Sequence, residues 1–423
     1  MNKKILTFAI LLLVVVGVGA TAAILFMFPY KPTEPPAADD TGATQQGVQQ
    51  LVNANNRFGL ELYKELANAH KEKNIFISPY SIFSALAITY EGALGKTAEE
   101  MKSVMHYPDL PILRPNFAAI YNQLNRGNEA YVLRTGNALW VQKDFELLDS
   151  YTNNVERFYS AKAANVDFVN EREKTRQTIN QFIEQQTNHM IKDLIPKDTL
   201  NTLTRLVITN AIYFKGSWVW QFDPDDTQKL DFYITPDSPV KVDMMYMKPE
   251  KAWFNYTETD DLQVLELPYK GNKLSMLVLL PKDNFTIYEL ESSLTLDKLN
   301  EYRNNLEKIK LDAIYLPKFE FNTKYILNKA LEQLGMRLAF TDSADFSGMT
   351  GKPGLYISKV LHQAFVRVDE KGTEAAAATA VVISLTAVQP SIVFRADHPF
   401  IFIIQDRSNG SVLFIGRVAN PNG

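Results

Sequence analysis

The chain of 423 residues contains no cysteine. This absence excludes disulfide bonds, thiolate metal sites and a cysteine nucleophile, and it also excludes a lipidated N-terminal cysteine as an anchor. A protein without cysteine tolerates oxidising and reducing compartments alike. The location of the chain must therefore be inferred from its N-terminus.

The sequence also lacks a large excess of either charge. Its 44 basic residues stand against 48 acidic ones, which gives a formal net charge of -4. A nucleic-acid surface would need a basic excess or a basic stripe, so we expect no nucleic-acid partner. Hydrophobic residues make up 46% of the chain, which is enough for one large core.

Catalytic and metal-binding spacings are missing as well. No serine lies in a Gly-x-Ser-x-Gly elbow, and no two histidines have the His-x-x-x-His spacing of a metal site. The segment Asp397-His398-Pro399 is interpreted as a turn before a buried strand. We therefore expect no catalysis, no metal site and no cofactor. The histidines of the chain are His70, His106, His189, His362 and His398.

An uncharged segment from Ile5 to Phe28 follows Lys3 and Lys4 near the N-terminus. About 20 apolar residues span a bilayer as a helix, so this segment is long enough to be a transmembrane anchor. The preceding lysines then place residues 1–4 in the cytoplasm. The alternative is a signal peptide, cleaved at the small residues of Ala20-Thr21-Ala22. Either way the body is expected outside the cytoplasm, anchored at the cell surface or secreted.

Residues 29–46 are predicted to form a flexible, partly extended linker. The remaining residues 47–423 show no internal repeat and no long Gly, Pro or Ser stretch, so we expect one large domain. Helical spacing predominates in its first part and strand-like runs in its later part, which indicates the α+β class. The predicted helices cover 48–70, 81–89, 97–105 (with a Thr97 capping box) and 170–194, and the strands 205–215, 264–269, 274–280, 391–394, 400–404 and 412–416.

Five segments within residues 47–423 resemble, in order and spacing, the signature segments of serpins. One local departure is Thr187-Asn188-His189, where serpins usually carry Gly-Lys after the asparagine. The resemblance implies an α+β serpin fold, in which helices surround three β-sheets and an exposed reactive-centre loop can insert into the main sheet. The five segments are Asn74–Met101, Asn210–Trp218, Val368–Ala387, Phe394–Phe402 and Phe414–Pro421.

The hinge of the reactive loop is the most informative of these segments. When a strand enters a sheet, alternate residues face the core. Inward positions from Thr373 onward are uncharged, and the first ones are small, while Gly372 allows the chain to swing. The alternative is that the alanine run forms an ordinary helical turn, since alanine has the best helix propensity. The expected hinge residues are Glu370, Gly372, Thr373, Glu374, Ala375, Ala376, Ala377 and Ala378.

The resemblance also implies which bond a protease attacks. Counting from Glu370 in the serpin pattern gives the bond Thr386–Ala387, and a shift of one residue gives Leu385–Thr386. Neither residue suits a trypsin-like pocket. The expected partner is therefore an elastase-, subtilisin- or chymotrypsin-like serine protease, held in a covalent acyl complex by a monomeric inhibitor.

Two groups of polar or aromatic residues match positions that serpins use to control insertion. The first, the shutter cluster, lies under the centre of the main sheet in the family. The second lies at the breach, where the hinge enters the sheet, and there Lys318 would face Glu370. The shutter residues are Ser78, Ser81, Asn210 and His362, and the breach residues are Trp218 and Lys318.

The sequence thus predicts a suicide-substrate inhibitor of an extracytoplasmic serine protease, with membrane association through the N-terminal segment. A non-inhibitory serpin-fold protein for binding, storage or chaperoning is the alternative. The small hinge residues favour inhibition, because charged, bulky or proline residues there would hinder strand insertion. An adhesion or receptor module has no positive sequence signal.

Overall fold

In a computed structural model of this chain, the described residues are 37–125, 130–249, 252–282, 285–373 and 392–423. The predicted apolar segment 5–28, the n-region 1–4 and linker residues 29–36 lie outside these ranges. Within the ranges, no helix combines the length and the apolar character that crossing a bilayer requires.

The compact unit begins at Ala37, earlier than the boundary predicted at residue 47. The backbone of Ala38 exchanges hydrogen bonds with the Asn122 amide at 3.0 and 2.9 Å, and Asp39 pairs with Arg157 at 2.6 Å. We call residues 37–44 the strap. The linker prediction is therefore wrong for residues 37–46, because distant side chains bind a segment that looks like a linker.

Ten α-helices occur in the described ranges. Their bounds are α1 Gln45–Ala69, α2 Pro79–Tyr90, α3 Gly95–Met105, α4 Leu110–Asn125, α5 Asp149–Tyr159, α6 Arg172–Gln186, α7 Ile287–Ser293, α8 Leu296–Asn304, α9 Asn328–Leu334 and α10 Ser347–Thr350.

Eighteen strands occur in the same ranges. Their bounds are β1 Ile75–Ile77, β2 Tyr131–Thr135, β3 Ala138–Gln142, β4 Lys162–Val166, β5 Leu206–Ser217, β6 Gln228–Thr235, β7 Ser238–Met247, β8 Phe254–Glu258, β9 Leu262–Pro268, β10 Leu274–Pro281, β11 Glu307–Ile309, β12 Ala313–Pro317, β13 Phe319–Ile326, β14 Ile357–Asp369, β15 Gly372–Thr373, β16 Val393–Arg395, β17 Phe400–Asp406 and β18 Val412–Val418.

These strands form three sheets, which confirms the predicted α+β class and the three-sheet architecture. The main sheet has the order β13-β14-β15-β5-β3-β4, with β2 also paired to β5. A second sheet has the order β1-β18-β17-β10-β9-β8-β11, and a third has the order β16-β12-β7-β6. Every residue of β10, β17 and β18 is buried, as their continuous apolar sequences require.

Side-chain caps begin four of the described helices, α1, α2, α7 and α8. Ser78 caps α2 by accepting a hydrogen bond from the Ser81 amide, and Pro79 occupies the first turn, where its missing amide hydrogen costs nothing. The capping box predicted at Thr97 is wrong, because α3 begins at Gly95 and the Thr97 hydroxyl instead accepts a bond from the Asp345 amide.

The departure at residues 187–189 keeps a tight turn after α6. Asn188 and His189 both adopt positive φ values, 52° and 62°. His189 therefore holds a left-handed conformation at the position where serpins usually carry glycine, and its backbone amide donates to the Glu184 carbonyl at 2.8 Å.

Helix α6 covers part of one face of the main sheet. A small hydrophobic cluster joins them, containing Ile179 and Ile183 from the helix and Trp140, Val207 and Ala211 from the strands. The other face packs on the large core of the molecule. A strand added to the centre of the main sheet would therefore meet the core on one face and α6 on the other.

Candidate functional site at the hinge of the main sheet

The main sheet is closed along most of its centre and parted at one end. Residues Ile357–Phe365 of β14 pair in parallel with Leu206–Tyr213 of β5, and we call this pairing the seam. Beyond the seam, β15 lies between the two strands. Thr373 is opposite both Val368 and Gly216, and β15 runs antiparallel to each neighbour. The first hinge residues thus already occupy the parted end.

Gly372 fits this position because it has no side chain. Its φ is +151°, and an added Cβ would lie 2.1 Å from the carbonyl oxygen of Gly216 and 2.6 Å from the Cα of Ser217. Any other residue would collide with backbone, which a side-chain rotation cannot relieve. Gly372 is predicted from the sequence to let the chain swing, and in the structure it also allows close approach to β5.

Thr373 is held by a tyrosine that the sequence analysis missed. The two hydroxyl groups of Thr373 and Tyr269 lie 2.8 Å apart, and Thr373 is 1% exposed. The Tyr269 ring stacks on Trp218 at a centroid distance of 4.6 Å, and the Trp218 indole donates to the carbonyl of Asp369 at 3.1 Å. Trp218 therefore lies at the breach, where the resemblance places it.

Glu370 is fixed at the breach by two side chains. Its carboxylate accepts a hydrogen bond from Lys318 at 3.0 Å, as the resemblance implies, and one from the Thr227 hydroxyl at 2.8 Å. Burial alone would raise the pKa of Glu370, but hydrogen bonds from its backbone amide, Thr227 and Lys318 lower it below the usual value. The Lys318 side chain is 38% exposed, so the ion pair contributes only about 1 kcal/mol or less.

The four predicted shutter residues lie together beneath the seam. The Ser78 amide donates to Nε2 of His362 at 3.2 Å, and the Asn210 side chain bonds both to Nδ1 of His362 and to the Ser81 hydroxyl. Asn210 and His362 are also opposite each other across the parallel pairing of β5 and β14. Their hydrogen bond therefore bridges the seam itself.

Asn137 is a fifth member of this cluster that the sequence analysis missed. Its side-chain oxygen accepts bonds from the Ser81 hydroxyl, at 3.0 Å, and from the Asn210 amide. The residue precedes β3, so the network joins β3, β5, β14 and α2. All four original members are buried, and each has a hydrogen-bond partner, as buried polar groups require.

His362 is neutral in the folded protein. Burial lowers the pKa of its imidazole from 6.5 to about 3. An amide donor at Nε2 and an oxygen acceptor at Nδ1 both fit the neutral ring with its proton on Nδ1. A second proton would face the Ser78 amide hydrogen, so the cluster accommodates only the neutral form.

His398 stands apart from these groups. Its ring nitrogens lie 3.0 Å from an Asp397 carboxylate oxygen and 2.7 Å from the Pro281 carbonyl, just before β17 begins. These contacts tie the turn to the end of β10, in agreement with the interpretation of this segment as a turn before a buried strand.

Much of the predicted reactive loop lies outside the described residues, which stop at Thr373 and resume at Ile392. The positions of the remaining hinge residues and of the predicted scissile bond stay predictions. These residues are Glu374, Ala375, Ala376, Ala377, Ala378, Thr386 and Ala387.

We expect the His362→Gln variant to lose part of the pH dependence of unfolding. The unfolded imidazole binds a proton below pH 6.5 and the folded one does not, so its contribution is complete above pH 6.5 and is lost towards pH 3. Between pH 7 and pH 5 the free energy of unfolding should fall by about 2 kcal/mol through this group. Urea unfolding at both pH values measures this fall.

The control for this measurement is His189→Gln, a variant of an exposed histidine. It should keep the wild-type fall between pH 7 and pH 5. If His362→Gln also keeps the wild-type fall, His362 is not the neutral, seam-bridging group described above.

The comparisons with known proteins agree with this geometry. The family model for serpins, described as serine protease inhibitors, matches residues 53–421. The chain is 44% identical over 377 residues to an uncharacterised serpin-like protein of Thermococcus kodakarensis, covering 88% of this chain and 86% of that protein. It is 38% identical over 381 residues to the human leukocyte elastase inhibitor, covering 88% of this chain and 100% of that protein.

Solved structures share the same fold. The chain matches Serpin48 of the insect Tenebrio molitor with a TM-score of 0.79 and 35% identity, covering 88% of this chain and 99% of that one. It matches human thyroxine-binding globulin in complex with thyroxine with a TM-score of 0.81 and 29% identity, covering 89% and 100% of the two chains. With three sheets, a hinge strand at the parted end of the main sheet and these relatives, the chain belongs to the serpin family.

Proposed function

We propose that this serpin is a suicide-substrate inhibitor of an extracytoplasmic serine protease. The observation that carries the proposal is the position of β15, which already lies between β14 and β5 at the end of the seam. The chain beyond Thr373 needs only to continue in the same register to become a central strand. The seam would then open, and β14 and β5 would each pair with the inserted strand.

The covalent step keeps the protease attached to the loop while the loop inserts. The serine oxygen of the protease attacks the carbonyl carbon of Thr386, and the bond to the nitrogen of Ala387 breaks. That nitrogen takes a proton and becomes the new N-terminus of the C-terminal fragment, while Thr386 remains joined to the protease as an ester. Insertion then drags the attached protease along the inhibitor and distorts its active site before water hydrolyses the ester.

The buried space between β5 and β14 suits an inserted strand that has small inward side chains. If the register of β15 continued into the loop, Ala375 would lie opposite Phe214 and Val366, and Ala377 would lie opposite Ile212 and Ala364. These neighbours are buried, so their space admits methyl groups and excludes long or charged side chains. Small inward residues therefore let the first part of the loop enter without rebuilding the core.

Insertion also improves the hydrogen bonding of the sheet. The seam is a parallel pairing, whereas β15 is antiparallel to both of its neighbours. Opening the seam replaces one parallel ladder by two antiparallel ladders, and antiparallel pairing is slightly more stable per residue. The added ladder and the burial of the loop supply the driving force, as in other strand additions to a sheet.

The proposed class of target protease is based on the predicted scissile bond and on the name of one homologous protein. Thr386, or Leu385 after a shift of one residue, suits an uncharged specificity pocket. The name of the human leukocyte elastase inhibitor, 38% identical to this chain, supports an elastase-like target. Subtilisin-like and chymotrypsin-like proteases remain within the proposal because their pockets also take uncharged residues.

The proposed location rests on the sequence alone. The uncharged sequence of residues 5–28 favours an uncleaved anchor or a cleaved signal peptide, and either would let the inhibitor act at the cell surface or after secretion.

A non-inhibitory role is the second candidate, and the solved relatives favour it in one respect. The same fold occurs in thyroxine-binding globulin in complex with thyroxine, which shows that it can hold a small ligand. The small hinge residues distinguish the candidates, because a binding protein has no need of a loop that inserts.

The test of the proposal uses the whole domain, residues 37–423. It is incubated with elastase-, subtilisin-, chymotrypsin- and trypsin-like proteases, followed by denaturing gels and mass measurement of the C-terminal fragment. We expect a denaturant-resistant complex with one of the first three proteases and a fragment that begins at Ala387. A fragment that begins at Thr386 would move the bond by one residue. Cleavage by all four proteases without any complex would contradict the proposal.

We expect the Thr373→Arg variant to become a substrate. Its side chain would enter the buried space beside Tyr269, where an unpaired cation is costly, so insertion should stall at its first step. Complex formed per cleavage event should fall by at least ~10-fold. The control is Thr373→Ser, which keeps the hydroxyl and should keep the complex. If Thr373→Arg inhibits like the wild type, insertion does not begin at this residue.

A further inference from the structure

The turn that leads from β14 into β15 has a poor sequence for so tight a connection. Asp369 is opposite Gly372, so only Glu370 and Lys371 lie between the two strands. Two-residue hairpin loops favour glycine, asparagine or aspartate, because their central residues take positive φ values. Neither Glu370 nor Lys371 has a positive φ. Contacts from outside the hairpin must therefore hold residues 369–372, which we call the hinge turn.

A short segment of the chain supplies these contacts. Residues 218–222, which we call the clamp, follow β5 directly. The Trp218 indole donates a hydrogen bond to the Asp369 carbonyl at 3.1 Å, and the Phe222 amide donates one to the Glu370 carbonyl at 2.9 Å. The first two carbonyls of the hinge turn are therefore both bonded to the clamp.

The third carbonyl of the hinge turn, that of Lys371, accepts two hydrogen bonds from the clamp. One comes from the Trp218 backbone amide at 2.9 Å, and the other comes from the Gln221 side-chain amide at 3.2 Å. A carbonyl oxygen has two lone pairs, so this pair of donors uses both. The Gln221 side chain thus completes the bonding of the hinge turn.

The clamp is itself fixed to the second sheet. The Val219 amide donates to the carbonyl of Pro268, the last residue of β9, at 2.9 Å. Trp218 forms an isolated β-bridge with Tyr269, and the Phe222 side chain is buried. The clamp can therefore serve as a fixed support for the hinge turn.

The peptide between Lys371 and Gly372 would rotate easily without this support. Glycine has no Cβ, so rotation beside it meets little steric resistance. A rotation would carry the Lys371 carbonyl away from the clamp and change the direction in which β15 leaves the turn. With Gln221 present, the rotation must break two hydrogen bonds instead of one.

We infer that Gln221 is a positioning residue for the hinge, whose side chain holds the Lys371 carbonyl so that β15 enters between β14 and β5 in the correct register. This inference rests on the proposed function. β15 contains only Gly372 and Thr373, so the orientation of the turn decides the register of the chain that follows. A slip of one residue would exchange the two faces of the inserted strand.

The first test measures amide hydrogen exchange in the intact protein, with mass spectrometry of peptides that contain β15. The variant Gln221→Met keeps a side chain of similar length and removes the donor. Residues 371–373 should exchange about twofold to tenfold faster than in the wild type, which corresponds to the loss of one ordinary hydrogen bond. Exchange in the seam should not change, because the opening is local. Unchanged exchange of residues 371–373 would overturn the inference.

The second test separates insertion from cleavage. It uses the protease that forms a complex with the wild type. Gln221→Met should be cleaved with the wild-type kcat/KM, because the predicted scissile bond and its neighbours in the sequence are unaltered. The complex formed per cleavage event should fall by about twofold to tenfold, because the strand enters less often in register. A fall in both quantities together would contradict a role in positioning.

Two variants serve as controls for both tests. Gln221→Lys keeps a hydrogen-bond donor on a long side chain and should keep the wild-type exchange and the wild-type yield of complex. Gln228→Met makes the matching substitution at an exposed glutamine of β6, outside the clamp and the hinge turn, and should also behave as the wild type. If Gln221→Lys is impaired as much as Gln221→Met, the donor is not what positions the turn.

The outcomes separate this inference from the proposed function. If the wild type is cleaved by every protease without forming a complex, the proposed function fails, and the inference fails with it. If the wild type traps a protease and Gln221→Met traps it equally well, only the inference is overturned. Faster exchange of residues 371–373 without any loss of complex would also overturn it, because the hinge turn would then be held by Gln221 without positioning the strand.

Discussion

The parallel pairing of β14 with β5 is the interaction on which the rest of this structure depends. While Ile357–Phe365 stays paired with Leu206–Tyr213, the main sheet is closed and the reactive loop has no place to enter. The pairing is also the weaker of the two available arrangements, because an inserted strand would give antiparallel ladders on both sides. A sheet closed in this way can remain folded and still release free energy when a cleaved loop becomes available.

Two groups of residues affect the pairing of β14 with β5, one beneath the sheet and the other at its end. Under the sheet, the bond between Asn210 and His362 bridges the two strands and must break for them to separate. At the end of the sheet, Thr373 and Gly372 already keep the strands apart, held by Tyr269 and by backbone contact with β5. The first group opposes opening and the second begins it. The proposed inhibition would require both, because a sheet that opens too easily would take up its own uncut loop.

Local residue patterns predict some of the strands and some of the residues at the hinge of the main sheet. The apolar runs indicated β10, β17 and β18, and the resemblance to serpins indicated the shutter residues and the meeting of Lys318 with Glu370. Tyr269, Asn137 and Thr227 could not be found in this way, because each contacts a residue more than fifty positions away and lies in no distinctive pattern. The strap was missed for a related reason. Its polar, proline-preceded sequence looks like a linker, and the side chains that hold it on the domain, Asn116, Asn122 and Arg157, lie far away in the sequence.

The absence of cysteine allows the central claim to be tested directly. Gln363 and Ala211 are opposite each other across the seam, at the spacing of neighbouring strands, which a disulfide can bridge. The variant Gln363→Cys, Ala211→Cys would then carry the only two thiols of the chain. Oxidised, it should be cleaved by the target protease without trapping it, and reduction should restore the complex. A denaturant-resistant complex formed equally well by the locked protein would contradict the claim that inhibition requires the seam to open.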